Sequence, residues 1–317
     1  MTAVITTPNS TEDSAKTPLQ HKARFKLTPY MLLVPATVVL LIVVGWPLLQ
    51  LFVLSFHQYG RPQVFGAPAP FIGLDNYVKV LTDEKFWNML ARSILFCIVN
   101  VAITMAGGTL IALMMVRLNK FFRVLLSVGL LLAWAMPALT ATIVWGWIFD
   151  TSYGVVNYAL THFFGLDYQG HSWLINPVSF FFVATMIVVW GAIPFVAFTV
   201  YAGLTQVPDE ILEAAQLDGA NSSQRFRLIV FPYLRSIFLV LLILEVIWDL
   251  RVFTQIFALQ GIGGIAQETS TIGVYIYQTA LGSGEYGMGG AIAVILVFLM
   301  MGISVYFIRK SLSEEQL

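Results

Sequence analysis

The chain has 317 residues, 58% of them hydrophobic and only 11% charged, against about 25% charged in a soluble domain. Its formal net charge is zero, and its one cysteine, Cys97, lies inside an apolar run. These values exclude a soluble domain, a nucleic-acid partner, a disulfide scaffold and a cysteine-based metal site, and leave an integral membrane protein.

Residues 1–29 form a polar amino-terminal tail, and residues 1–20, rich in Thr, Ser and Pro, are predicted to be disordered. No small-residue cleavage site follows the first apolar run, so it does not read as a removable signal. A bilayer-spanning helix needs about 20 predominantly apolar residues. Six runs qualify: Tyr30–Leu51, Ser93–Val116, Val124–Phe149, Phe180–Leu204, Ile237–Leu259 and Gly289–Ile308. We call them spans one to six, together a membrane domain over 30–308 with a short tail at 309–317. Pro35, Pro47, Pro137 and Pro194 fall inside spans, where neighbouring helices satisfy the freed backbone groups. Between spans one and two, Asp75–Leu81 and Phe86–Leu90 mix apolar and polar residues at helical spacing and read as an interfacial helix. Thr271–Ala280 reads as another short helix outside the bilayer.

An even number of spans puts both termini on one side. Lys16, Lys22, Arg24, Lys26, Arg117, Lys120, Arg123, Arg225, Arg227, Arg235, Arg309 and Lys310 lie on that side, against Arg61, Lys79, Lys85 and Arg92 on the other. The excess of cations places the termini, and the 205–235 loop with them, in the cytoplasm.

That loop reads as a soluble helix–turn–helix between two spans. Pro208 suits a first helical turn, and Asp209 and Glu210 favour its positive end. Ile211, Ala214, Ala215 and Leu217 follow, and Asp218-Gly219 ends the helix with a residue able to adopt the left-handed cap. Asn221 caps a second helix, with Gln224 completing a capping box. Phe226, Ile229 and Val230 give it an apolar face, and Pro232 marks the handover to span five. The small pair Ala214-Ala215 permits close approach of another protein; the alternative is a loop that packs only on its own membrane domain.

In register, Glu213, Ala214, Ala215, Gly219, Ile229 and Pro232 resemble the EAA loop of binding-protein-dependent ABC importer permeases. Phe231 replaces the usual Leu, and Ser236 stands where many members carry a second Pro. Phe71-Ile72-Gly73-Leu74-Asp75-Asn76-Tyr77 is similar to a segment of sugar permeases, as is the run from Arg251-Val252-Phe253 to the glycine-rich Gln260-Gly261-Ile262-Gly263-Gly264, which here lacks the proline of that family's loop. The resemblance covers nearly the whole chain. It implies an all-α integral membrane protein with six transmembrane helices of the type I ABC importer permease fold, in the bacterial cytoplasmic membrane. It implies as partners a second permease forming a heterodimer, two ATPase subunits and an extracytoplasmic solute-binding lipoprotein, with Glu213, Ala214, Ala215, Asp218, Gly219 and Ala220 in the ATPase-coupling segment. The branch is that of the maltose permease large subunit and of the shorter disaccharide permeases, those for trehalose above all.

No G-x-x-x-x-G-K-[ST] phosphate loop occurs. No cofactor is therefore expected on this chain, and ATP and Mg2+ belong to the ATPase partner. His21, His57, His162 and His171 lack metal-ligand spacing, and no catalytic arrangement is visible.

Ionisable residues inside a span are functional candidates. Glu245 and Asp249 share one helical face of span five, with Trp248 beside it and Arg251 nearby. Carboxylates accept hydrogen bonds from sugar hydroxyls, and aromatic faces cover sugar C–H patches. The alternative is an ion pair between Arg251 and a carboxylate that only ties helices together. By resemblance, Glu245 and Asp249 fall at sugar-contacting positions, as do Gly191, Ala192 and Phe195 in span four and Trp134 and Ala138 around Pro137 in span three. Trp145, Trp147 and Trp190 read as packing or interface residues. The expected function is uptake of a disaccharide such as trehalose by alternating access. A permease for a maltose-type oligosaccharide or glycerol phosphate, and a stand-alone secondary transporter, are the competing readings.

Overall fold

Asp83, Asn119 and Asn176 cap the starts of spans two, three and four. A computed structural model of the protein describes residues 27–314, and among these residues there is no β-strand, only an isolated bridge between His57 and Phe71. The expected disordered segment 1–20 lies outside them, as does the end of the carboxy-terminal tail. The chain divides into two compact units, Met1–Leu49 and Gln50–Leu317.

In the first unit the helix begins at Leu27 and passes through a π-helical turn at Leu41–Gly45. None of residues 31–49 is buried. Such a helix requires apolar surroundings supplied from outside its own unit.

The second unit holds the remaining spans. Four helices of the described chain are long and apolar enough to cross a membrane, and six if each of two bent pairs counts as one span. Span two, Glu84–Arg117, has 34 residues, about 50 Å at helical rise, and so overruns the hydrocarbon core of about 30 Å. Its start corrects the expected interfacial helix. Asp75–Thr82 is a separate helix, but Asp83 then caps a new one by accepting from Lys85 N–H at 2.9 Å, so Phe86–Leu90 belong to span two itself. At its far end Arg123 donates to the carbonyls of Met115 (2.9 Å) and Leu118 (2.7 Å), satisfying acceptors that a helix C-terminus leaves open.

Span three is not the continuous helix expected for Val124–Phe149. It is Lys120–Ala135 followed by Ala138–Ile148, with a 103° bend between them. Pro137 pushes Met136 out of the helical region (φ −72°, ψ 127°), and the second helix starts afresh after it. Span four, Pro177–Leu204, opens on Pro177 behind an Asn176 cap and runs unbroken through Pro194.

Span five differs from expectation in two ways. Its lead-in bends by 75° between Ser222–Tyr233 and Arg235–Ile262, so the turn falls after Pro232, at Leu234. The span is also interrupted at Arg251, dividing Arg235–Leu250 from Thr254–Ile262. The expected outer helix at Thr271–Ala280 is α-helical over Ile272–Tyr277 and π-helical over Gln278–Gly282. Span six begins at Tyr286 and remains helical to Glu314.

Spans two and four form the centre of the unit. Glycine lets them meet: a Cβ placed on Gly108 would stand 2.6 Å from the Cβ of Val196. Small residues at such crossings allow backbones to approach in lipid, where the hydrophobic effect does not drive helices together. Phe180, Val183, Ile187, Ile256 and Leu259 fill the core between spans four and five. Gly108→Ala is expected to destabilise the protein by about 1–3 kcal/mol through overpacking. Gly129→Ala, where nothing lies within 4 Å of the added methyl, leaves stability unchanged or slightly raised. Thermal unfolding of the two variants in detergent checks the contrast.

Candidate functional site

Two features carry chemistry. The first is the loop between spans four and five. Pro208 stands before the helix, one residue earlier than its expected place, and Asp209–Leu217 is helical, with Asp209 and Glu210 in the first turn. Asp218 ends it and Gly219 takes φ +85°, the left-handed region that glycine enters without steric cost. Ala220 N–H then donates to Ala215 C=O at 2.9 Å. The expected capping box is present: Asn221 Oδ1 accepts from Gln224 N–H at 2.9 Å, and Gln224 Oε1 accepts from Asn221 N–H at 2.8 Å. The helix it opens is shorter than expected, Ser222–Arg225, and passes into a π-helical turn over Phe226–Val230. Arg225 Nη1 donates to Gln216 Oε1 at 2.9 Å, tying the two arms together.

The base of this loop packs on the spans. Leu212, Phe226, Val230 and Leu234 join one apolar cluster with Ala112, Val196 and Val200 of spans two and four. Tyr233 Oη donates to Gln206 C=O at 3.2 Å. Glu213 and Ala214 are exposed and Ala215 is half-buried. Leu217 is 89% exposed and Leu228 70% exposed.

The second feature is a recess of about 240 Å³ where spans three, four and five meet. Trp134 and Ala138 approach it from the two sides of the Pro137 bend, Gly191 and Ala192 from span four, and Glu245, Trp248 and Asp249 from span five. Gly191 has open space where a side chain would stand. Phe195 is not among the lining residues; its ring instead supports Trp248 edge-on, with centroids 5.1 Å apart.

Glu245 is fully buried and neither of its carboxylate oxygens has a hydrogen-bond partner; Asp249 Oδ2 also lacks one. Arg251 is exposed, sits at the C-terminal cap of Arg235–Leu250 and does not line the recess. An ion pair that consumes these oxygens is therefore absent. Carboxyl side chains lining a recess beside indole rings suit a neutral, hydroxyl-rich molecule, since acceptors need donors and ring faces need C–H.

Sequence reasoning missed several contributors. Trp190, read as packing, lines the recess, with Trp145 edge-on to it at 6.0 Å. Gln255 also lines it and supplies both a donor and an acceptor; its position past the break at Arg251 hid it. Asn100 and Thr104 of span two are fully buried with no partner for their polar atoms. A polar pair one turn apart inside an apolar run was the available signal. Among the described residues no group of His, Cys, Asp and Glu could hold a metal ion.

Together these features define a polytopic membrane protein that presents a structured loop at one end and a polar recess within its spans. Residues 104–315 match the family of binding-protein-dependent transport system inner membrane components, and the chain belongs to that family. It is 41% identical over 290 residues to the diacetylchitobiose uptake system permease protein DasB of Streptomyces coelicolor, covering 92% of this chain and 88% of that protein. It is 31% identical over 280 residues to the trehalose/maltose transport system permease protein MalF of Thermococcus litoralis, covering 88% and 92%. The fold matches a chain of a bacterial ABC transporter that imports the acidic polysaccharide alginate, with TM-score 0.76, 23% identity and coverage of 90% and 94%. The chain thus has the type I ABC importer permease fold and is a membrane transport subunit, not an ATPase.

Asn221→Ala removes the capping box and is expected to cost about 1 kcal/mol locally. Hydrogen exchange of the Ser222–Arg225 amides should accelerate while the spans keep their protection.

Proposed function

We propose that this chain is the permease subunit of an ATP-driven importer for a neutral disaccharide or short oligosaccharide. The observation that carries this reading is the pair Glu245 and Asp249, which line a recess framed by Trp134, Trp190 and Trp248 and hold buried carboxyl oxygens without a hydrogen-bond partner. Sugar hydroxyls would donate to the carboxylates, Gln255 would take a ring substituent, and the indoles would cover apolar sugar faces. Two acidic side chains and no Lys or Arg line the recess, so it offers an anionic solute no counter-charge, which argues against glycerol phosphate or an acidic sugar.

The relatives support a disaccharide but favour a different one from that expected. The relative named for diacetylchitobiose is the more similar of the two, at 41% identity, and the one named for trehalose and maltose stands at 31%. Gln255 suits an acetamido group, which trehalose lacks. We therefore rank a β-linked N-acetylated disaccharide first and trehalose behind it.

In this reading the chain lies in the bacterial cytoplasmic membrane with both termini and the 205–235 loop in the cytoplasm. It pairs with a second permease and receives sugar from an extracytoplasmic binding lipoprotein. Two ATPase subunits bind and hydrolyse ATP with Mg2+, and the loop seats in an ATPase cleft. Its exposed Leu217 and Leu228 are covered there, with Glu213 meeting a basic partner group and Gly219 allowing the tight turn. Closure of the ATPase pair is carried through Leu212, Phe226, Val230 and Leu234 into spans two and four, because those side chains pack together with Ala112, Val196 and Val200. The spans rock and the recess faces alternate sides of the membrane. A stand-alone secondary transporter has no use for such a loop.

In the reconstituted complex, Asp249→Asn is expected to lower sugar-stimulated ATP hydrolysis at least tenfold, as loss of a hydrogen bond to a charged group costs about 1.5–3 kcal/mol. Undiminished stimulation would remove Asp249 from the sugar site. Glu213→Ala is expected to leave membrane insertion intact while uptake falls well below the rate of ATP hydrolysis; normal uptake would count against the docking role. A panel of diacetylchitobiose, trehalose, maltose and glycerol phosphate ranks the substrates directly.

A further inference from the structure

The segment that joins spans three and four lies at the end of span four opposite the 205–235 loop. It holds a turn at Thr151–Tyr153 and a short helix, Val155–His162. A cavity of about 390 Å³ opens here. Thr151, Ser152, Tyr153, Tyr158, Thr161 and Gln169 are among its lining residues, and no Asp, Glu, Lys or Arg is, among the described residues. It shares no lining residue with the polar recess.

The walls of this cavity are held in place. Asp150 Oδ1 accepts from Ser152 N–H at 2.7 Å and from Tyr153 N–H at 2.9 Å. Asn157, also in the lining, donates from Nδ2 to the His171 carbonyl at 2.8 Å, and its Oδ1 accepts from Trp173 Nε1 at 2.7 Å. The Tyr158 ring stacks on His162 with centroids 4.2 Å apart. A site already in shape binds without the cost of ordering its own parts.

We propose that this cavity is an outer binding site for a neutral sugar. The choice of sugar rests on the reading of the chain as a sugar permease; the lining is a separate observation. Hydroxyls and the Gln169 amide both donate and accept, as sugar hydroxyls do. Tyr153 and Tyr158 are 83% and 57% exposed, and their rings can cover sugar C–H patches. Thr161 Oγ1 is closed off from solvent and has no hydrogen-bond partner. An ion finds no opposite charge here, and an acyl chain would meet hydroxyls along its length. The volume falls within the range of small-molecule pockets, about 300–1,000 Å³.

The position suits a site visited before the recess. From Trp173, bonded to Asn157 in the cavity lining, a row of rings leads inward. Trp173 is edge-on to Phe149 at 5.3 Å, Phe149 stacks with Trp145 at 6.2 Å, and Trp145 meets Trp190 of the recess. The two sites thus stand at the ends of one packed aromatic row. The outer site lacks the carboxyl pair of the recess, so it holds sugar more weakly and releases it inward.

The test uses the intact importer complex in nanodiscs without the binding protein. The chain's one native cysteine, Cys97, is buried, so Ser152→Cys adds a maleimide reporter to the cavity lining. Diacetylchitobiose, trehalose and maltose are added in turn. The transported sugar, at saturation, is expected to slow modification about tenfold, because a pocket of this kind encloses most of its ligand. Gln169→Cys is expected to be protected likewise, which keeps the proposal testable if the first variant fails to assemble. Adding Tyr153→Ala is expected to remove the protection, and adding Asp249→Asn, in the recess, to leave it. Phe164→Cys, at a position 72% exposed and outside the lining, is expected to react at one rate with or without sugar. No protection by a sugar that stimulates ATP hydrolysis once the binding protein is added would overturn the outer site and leave the permease reading standing. Protection without any such stimulation would support the outer site and overturn the permease reading. Equal slowing at Phe164→Cys, or protection that needs only sugar-free binding protein, would assign the effect to crowding or to protein docking and overturn the proposal.

Discussion

A polar side chain shut away from water must be given a partner, and inside a membrane that demand is at its strictest. Glu245, Asp249, Asn100 and Thr104 all hold buried polar atoms without one. Each such atom costs about 1–3 kcal/mol when left unmet. Their placement is not scattered. Cys97 Sγ lies 3.8 Å from the Val246 carbonyl, so the turn of span two that leads to Asn100 sits against the turn of span five that carries Glu245. Four polar residues along this seam thus hold hydrogen-bonding atoms that the described residues leave unpartnered.

The rest of the architecture serves that seam. Gly108 brings span two against Val196 of span four, and the 103° bend at Pro137 turns span three aside, so space opens next to span five instead of closing with apolar packing. Trp134 and Ala138 reach the recess only because they flank the bend. At the other end of the same helices the loop is capped, hydrogen-bonded and seated on the cluster of Val196, Val200 and Leu241. One continuous set of packed side chains thus runs from the loop to the helices that frame the recess. Interiors packed in this way shift between discrete arrangements and do not deform smoothly.

Much of this was legible in the sequence because the signals are local. Apolar length marked the spans, Asn221 and Gln224 marked a cap, Gly219 marked a left-handed turn, and a carboxylate pair inside span five marked the polar seam. What escaped needed tertiary structure. Val124–Phe149 reads as one apolar run, and composition alone does not say whether Pro137 kinks a helix or breaks it. The interruption at Arg251 lies in a run whose neighbours on both sides are equally apolar. Trp190 has the same sequence surroundings whether it packs or lines a recess, and only the positions of spans three and five decide. Asn100 and Thr104 were diluted by the 34-residue helix around them. Phe195, expected to face the ligand, instead buttresses Trp248, a distinction of side-chain direction that residue spacing does not carry.

The central claim is that sugar passes through the recess between spans three, four and five, on the carboxyl groups of Glu245 and Asp249. Photolabelling the reconstituted complex during turnover with a diazirine-bearing N-acetylated disaccharide, followed by peptide mapping, tests it most directly. The account predicts adducts within Trp190–Phe195 and Leu244–Gln255, suppressed by excess unlabelled disaccharide. Competable adducts confined to other spans, with none on these two segments, would contradict it.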